Sequence, residues 1–147
     1  MLPQLDIELM HSSLSTIAAG TEAFGKVDTR GYDFCKILVV DGIPTAANTP
    51  DYFRIGDCDT APTAFADCTA LLTQGTDYTV AASSTTKANA YTCDIDLRGK
   101  DRYIGVGYES DATQKGVLIA ILGRKRDGGA QSTVATTAEG VRNVLAC

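Results

Sequence analysis

The sequence predicts an all-β protein: an antiparallel β-sandwich or jelly-roll-like core with extended N- and C-terminal arms. Three observations predict it. Short apolar runs recur with turn residues between them at intervals of about eight to fifteen positions. One run, Tyr91 to Leu97, alternates cleanly, with Tyr91, Cys93, Ile95 and Leu97 on the inward face and Thr92, Asp94 and Asp96 on the other. And a turn-then-strand phrase occurs twice, as Val27-Asp28-Thr29-Arg30-Gly31-Tyr32-Asp33-Phe34 and as Ile95-Asp96-Leu97-Arg98-Gly99-Lys100-Asp101-Arg102. An Arg-Gly corner between polar residues is turn chemistry, because glycine reaches positive φ without a Cβ clash, so two equivalent corners feeding two core strands are expected.

Residues 1–26 are small and polar apart from scattered apolar positions, and they read as an extended N-terminal arm with room for one strand and a short helical turn at Gln4 to His11. Residues 27–127 form the expected sandwich domain. Its first strand covers Tyr32 to Val40, and since Ile37, Leu38, Val39 and Val40 are all apolar, both faces of that strand should be covered. Asp41-Gly42-Ile43-Pro44 ends it. Tyr52 to Asp57 is a second strand. Residues 58–75 fit either a helix, from the spacing of Ala64, Phe65, Cys68, Leu71 and Leu72, or a loop carrying a short helix. Asp77 to Val80, Tyr91 to Leu97, Arg102 to Tyr108 and Val117 to Gly123 are further strands, with Glu109 to Gly116 as a hairpin loop between the last two. Beyond Asp127 a flexible Gly128–Thr133 linker leads to Thr136-Thr137-Ala138-Glu139, a capping-box pattern that starts one short helix in the C-terminal arm, residues 128–147.

Composition narrows the function. With 44% hydrophobic and 21% charged residues, the chain is an ordinary globular protein. A net charge of −5 argues against a nucleic-acid partner, and Arg124-Lys125-Arg126, the one basic cluster, reads as a solvated strand end. The apolar runs are too short for a membrane span and the start lacks the pattern of a secretory leader. Cys35, Cys58, Cys68, Cys93 and Cys147 lack metal spacing; most are expected as reduced thiols, while Cys58 with Cys68 and Cys35 with Cys93 are the pairings within reach.

Catalytic chemistry is not expected. The sole histidine, His11, lies in the arm among serines, and a flexible arm cannot hold a near-attack geometry. Asp57 with Asp59 and Asp94 with Asp96 have a spacing compatible with calcium but lack a shaped oxygen-rich loop, so structural or solvated roles are expected. No dinucleotide or P-loop signature occurs, and neither a metal nor a cofactor is expected. Tryptophan is absent, and the six tyrosines read as core edges and interfaces before they read as a sugar-stacking platform.

The segments Val27 to Val40, Asp94 to Val106 and Val117 to Arg126 resemble small structural proteins encoded among the head genes of tailed bacteriophages. The resemblance spans residues 27–126. It implies a decoration, or cement, protein on the capsid exterior of the virion, made in the host cytoplasm, whose partner is the major capsid protein and which is a homo-oligomer with the trimer favoured. In such a role the arms would staple neighbouring subunits through apolar anchors, here Leu2, Leu5, Ile7, Leu9, Val141, Val144 and Leu145. A phage tail or neck component, or a receptor- or carbohydrate-binding module, would use the same sandwich.

Overall fold

Eight strands make two four-stranded antiparallel sheets in a computed structural model that describes residues 5–12, 17–46, 50–73, 75–77, 85–86 and 89–125. The strands are β1 (Leu5–Ser12), β2 (Ala23–Asp28), β3 (Tyr32–Asp41), β4 (Pro50–Cys58), β5 (Thr69–Thr73), β6 (Asn89–Asp96), β7 (Tyr103–Ser110) and β8 (Gly116–Lys125). One sheet runs β1-β8-β3-β6 and the other β2-β7-β4-β5. First pairs with last, second with seventh, third with sixth and fourth with fifth. A long hairpin rolled over on itself gives that order, which is a jelly roll.

The core lies between the sheets. Cys35, Ile37 and Val39 of β3, Ile55 of β4, Ile104, Val106 and Tyr108 of β7, and Leu118, Ala120 and Leu122 of β8 are buried at alternate positions, as the two-residue period of a strand requires. On β6 the inward set is as its alternation predicts: Ile95 and Leu97 are buried, Tyr91 and Cys93 half-buried, and Thr92, Asp94 and Asp96 exposed.

The repeated phrase makes two equivalent corners. In each, an Asp carboxylate accepts the backbone N–H two residues on, Arg30 to Asp28 at 3.1 Å and Arg98 to Asp96 at 3.0 Å. In each, a glycine at positive φ, Gly31 at 89° and Gly99 at 76°, sits at the third position of a β-turn closed by Tyr32 N–H to Thr29 O and by Lys100 N–H to Leu97 O. The corners also interlock: Thr29 N–H donates to Arg102 O at 2.9 Å and Leu97 N–H to Asp33 O at 3.0 Å, so matching positions donate across to the opposite corner. The Arg102 guanidinium chelates Asp28, an ion pair that holds the Asp28 carboxyl below the usual range. Each corner carries the chain from one sheet to the other.

Several expectations are corrected. Residues 5–12 are strand β1, not a helical turn, and β2 adds a second sandwich strand from Ala23 to Asp28, so the two sheets already draw on the segment that reads as an arm. Ile17 is buried too and bridges Gln114. Residues 109–116 are not a hairpin loop, since β7 and β8 belong to different sheets; Ser110, Ala112 and Gln114 are buried, and Gln114 bonds the Tyr108 hydroxyl. The helical spacing over 58–75 gives one 3-10 turn, Phe65–Asp67, followed by β5. The Asp67 carboxylate takes the N–H groups of Thr63 and Ala64, which caps the start of the turn and holds the Asp67 pKa low, and the turn ends at Cys68, whose backbone is extended. Asp77 lies in a turn, its N–H on Thr73 O; the strand expected through Val80 otherwise falls outside the described residues, as do the Gly128–Thr133 linker and the helix expected after Thr136. Of the two cysteine pairings within reach, Cys58–Cys68 is formed, whereas Cys35 and Cys93 are thiols.

Candidate functional site

The two sheets have different outer faces. On β2-β7-β4-β5 the chain covers itself. Three glycines, Gly56, Gly105 and Gly107, leave a shallow trough in β4 and β7 where side chains would otherwise stand. Into it pack Phe65, whose ring lies under the Arg54 guanidinium at 4.3 Å, along with Phe24 and the Cys58–Cys68 bridge. Arg54 also pairs with Glu22 at 3.0 Å, and Lys26 Nζ holds Pro62 O at 2.8 Å, fastening the 59–68 loop to the sheet.

The outer face of β1-β8-β3-β6 is built oppositely. Reading the register across it, Leu5 lies beside Gly123 and Phe34, Ile7 beside Ile121 and Lys36, Leu9 beside Ile119 and Leu38, and Val117 beside Val40. Leu5 is 55% exposed and the other apolar residues are half-buried. Charge enters in the middle row at Lys36 of β3, beside Ile121, which pairs with Asp94 of β6 at 2.6 Å. No described element packs across this face. Three strands at their usual spacing, over a run of seven residues, give this mainly apolar face a footprint of about 350 Å².

Strand β1 makes this face deliberate. Leu5, Ile7 and Leu9 point out, and the carboxyls Asp6 and Glu8 point in, so the strand is amphipathic in the wrong sense for a solvated sheet. A slip of one residue would reverse every side chain and bury the three aliphatics. The register instead accepts the cost of inward acids. Asp6 is buried and receives the Tyr32 hydroxyl, whose own pKa is raised by burial and then by Asp6. Burial, and then the charges of Asp28 and Asp6, push the half-buried Glu8 carboxyl above its ordinary 4.5. Since folded Glu8 holds its proton more tightly than unfolded Glu8, its contribution is favourable below about pH 4.5 and is lost as pH rises through the folded value. Glu8→Gln is therefore expected to raise the melting temperature at pH 7 and to have no effect below about pH 4, read by thermal unfolding across that range.

The expected anchors are thus split. Leu5, Ile7 and Leu9 converge on one face, but as part of the sandwich and not of a free arm; Leu2, Val141, Val144 and Leu145 lie outside the described residues. Phe34, Leu38, Val40, Val117, Ile119 and Ile121 join them, although the sequence alone marks these six only as core. Their signal is present in the unbroken apolar runs of β3 and β8, which announce strands covered on both sides.

His11 sits in β1 opposite Leu118. Cys35 is enclosed in the core, where burial and then the neighbouring Cys93 and Glu8 push its thiol up to about 12, far from a reactive thiolate. Asp57 is buried and accepts Asp101 N–H at 3.3 Å, and Asp59 approaches the Asp101 carboxyl, which partial burial and these neighbours raise. Among the described residues, no group of His, Cys, Asp and Glu is arranged to hold a metal ion. In comparison with known proteins, the chain matches no family model and no curated protein.

Proposed function

We propose that the chain is a viral structural protein: a decoration, or cement, protein that docks on the exterior of an assembled tailed-phage capsid and stabilises the shell. The observation that carries this reading is the outward set of Leu5, Ile7 and Leu9 on a strand whose carboxyls face the core. Such a register is of use only to a face that meets another apolar surface, and in this reading that surface belongs to the major capsid protein. A jelly roll is a frequent virion module, although the fold hosts other functions. About 350 Å² is less than half of what one side of a stable protein–protein interface buries. Single-site docking is therefore weak, and a homo-oligomer, with the trimer favoured, gains the missing affinity by presenting several faces to a repeating lattice. A ligand that binds the assembled lattice and not free subunits stabilises the lattice by mass action, which is what a cement protein must do.

The test is co-sedimentation with purified expanded shells. Ile7→Lys/Ile119→Lys places two ammonium groups on the face without touching the core. It is expected to keep the melting temperature of the wild type within a few degrees and to lower shell affinity at least about tenfold, the equivalent of 1.4 kcal/mol. Co-sedimentation equal to wild type would remove the proposal.

A further inference from the structure

We infer that the sandwich is a pair of equivalent half-domains, β1–β4 and β5–β8, and that the Cys58–Cys68 bridge at their junction is a lock. Closed, it keeps the two halves of one chain together; opened, it lets the chain exchange a half with a second copy of itself.

The equivalence shows first in the topology. Moving each strand on by four turns the sheet β1-β8-β3-β6 into β5-β4-β7-β2, which is the other sheet read backwards. Two Greek keys make any jelly roll do this, but here the residues follow. Asp28, Thr29 and Gly31 of the first corner match Asp96, Leu97 and Gly99 of the second. The second corner then holds one residue more, so Asp33 matches Arg102, and Cys35, Ile37 and Val39 match the equally buried Ile104, Val106 and Tyr108. Under this matching the pairs Ala23–Tyr108 and Val27–Ile104 of β2 and β7 become Tyr91–Val39 and Ile95–Cys35, which is the register observed between β6 and β3. The bond from Thr29 N–H to Arg102 O becomes that from Leu97 N–H to Asp33 O, and both are present. The matching edge ladders, β1–β8 and β5–β4, each carry one register shift.

Every ladder among the described strands joins one half to the other: β1–β8, β2–β7, β3–β6, β3–β8, β4–β5 and β4–β7. So do the ion pairs Asp28–Arg102 and Lys36–Asp94. A half from a second copy therefore offers the same partners as the chain's own, which is the condition for exchange at little cost. The junction decides between them. Residues 59–68, fully extended, reach about 33 Å, enough to carry β5 away from its own β4 to a neighbour's. The bridge forbids this, because it holds the Cα atoms of Cys58 and Cys68 4.7 Å apart, with Asp57 and Thr69 just beyond them paired in the β4–β5 ladder. Opening it takes two electrons and two protons from a dithiol, which leaves as a cyclic disulfide, and yields two thiols. Without the lock, a connection this short sets an effective concentration in the millimolar range, so closure and exchange become comparable when the chain itself is at about 1 mM.

A cross-link that reads which halves are paired tests this in the full chain. Lys36 and Asp94 face each other across β3 and β6, one from each half. Lys36→Cys/Asp94→Cys, in a Cys93→Ser/Cys147→Ser background with Cys35 enclosed, is unfolded without reductant, refolded and joined with a short bis-maleimide. On a denaturing gel the link leaves a single chain where its own halves are paired and couples two chains where they are exchanged. With the bridge intact, coupled chains are expected to be absent after refolding at about 1 µM and at about 1 mM alike; with Cys58→Ala/Cys68→Ala added, they are expected to rise over that range from none to roughly half of all chains. Intrachain links alone in the bridge-free protein at the higher concentration would overturn the inference, and so would equal coupling with the bridge intact. Lys36→Cys without Asp94→Cys is expected to couple no chains; coupling to the same extent there would mean association through outer faces and would sink the inference too. Folded, bridged wild type reduced in dithiothreitol and held at about 1 mM, just below its melting temperature, bypasses the variants. A doubling of mass by light scattering is expected, and an unchanged mass counts against exchange.

Discussion

Removing the Cys58–Cys68 bridge, as Cys58→Ala/Cys68→Ala, is expected to lower the unfolding free energy by about 2–3 kcal/mol through the lost constraint on an unfolded loop of this size. For a domain of this length that corresponds to a melting temperature lower by about 5–10 °C. The bridge closes a segment separated by 10 positions and ties β4 to the start of β5. It also holds the 59–68 loop over the glycine trough, with Phe65 beneath Arg54. The loss should therefore be local as well as global: hydrogen exchange is expected to rise in β5 and the 3-10 turn before it rises in β3 or β8. A melting temperature unchanged by reductant would show that Phe65 and the Lys26–Pro62 contact hold the loop without covalent help.

Filling the trough is expected to cost about as much. A Cβ on Gly105 would stand 2.7 Å from Cys68 Sγ and 3.2 Å from the Phe24 ring, and one on Gly56 would stand 2.7 Å from the Thr69 carbonyl oxygen. Neither neighbour moves freely, the first being bonded and the second part of a strand ladder, so Gly105→Ala and Gly56→Ala are each expected to destabilise by about 1–3 kcal/mol. Gly107→Ala meets the tips of Glu22 and Arg54, which can swing aside, and is expected to cost under about 1 kcal/mol. The clash at Gly105 depends on the sulfur. In the Cys58→Ala/Cys68→Ala background most of its cost should vanish, giving a coupling energy of about 1 kcal/mol in a double-mutant cycle by denaturant unfolding. Additive effects would show that Phe24, and not the bridge, sets the limit.

The fold class was legible because its signals are local. The alternation of Tyr91 to Leu97, the Asp-x-Arg-Gly corners and the apolar runs of β3 and β8 each state their conformation without reference to a distant partner. What escaped the sequence depends on pairing. Strand β1 was unreadable because its inward residues are acids, one satisfied by Tyr32 from elsewhere in the chain. Strand β5 is half exposed and leans on Gly56, a residue with no side chain to advertise the contact. The crossing of the 109–116 segment between sheets is a property of topology, which composition does not encode. For the candidate site the aliphatics Leu5, Ile7 and Leu9 stood out, but that they share a surface with Ile119, Ile121 and Leu38 follows only from the register between β1, β8 and β3.

The pairing of β1 with β8 has a consequence for how the molecule is made. Strand β1 finds its ladder partner only in β8, and at roughly 5–20 residues per second the wait between them is on the order of ten seconds. During synthesis the nascent chain thus carries a greasy ribbon that none of the described strands β2 to β7 pairs with, and the sheet closes in one late step once Gly116 to Lys125 has emerged.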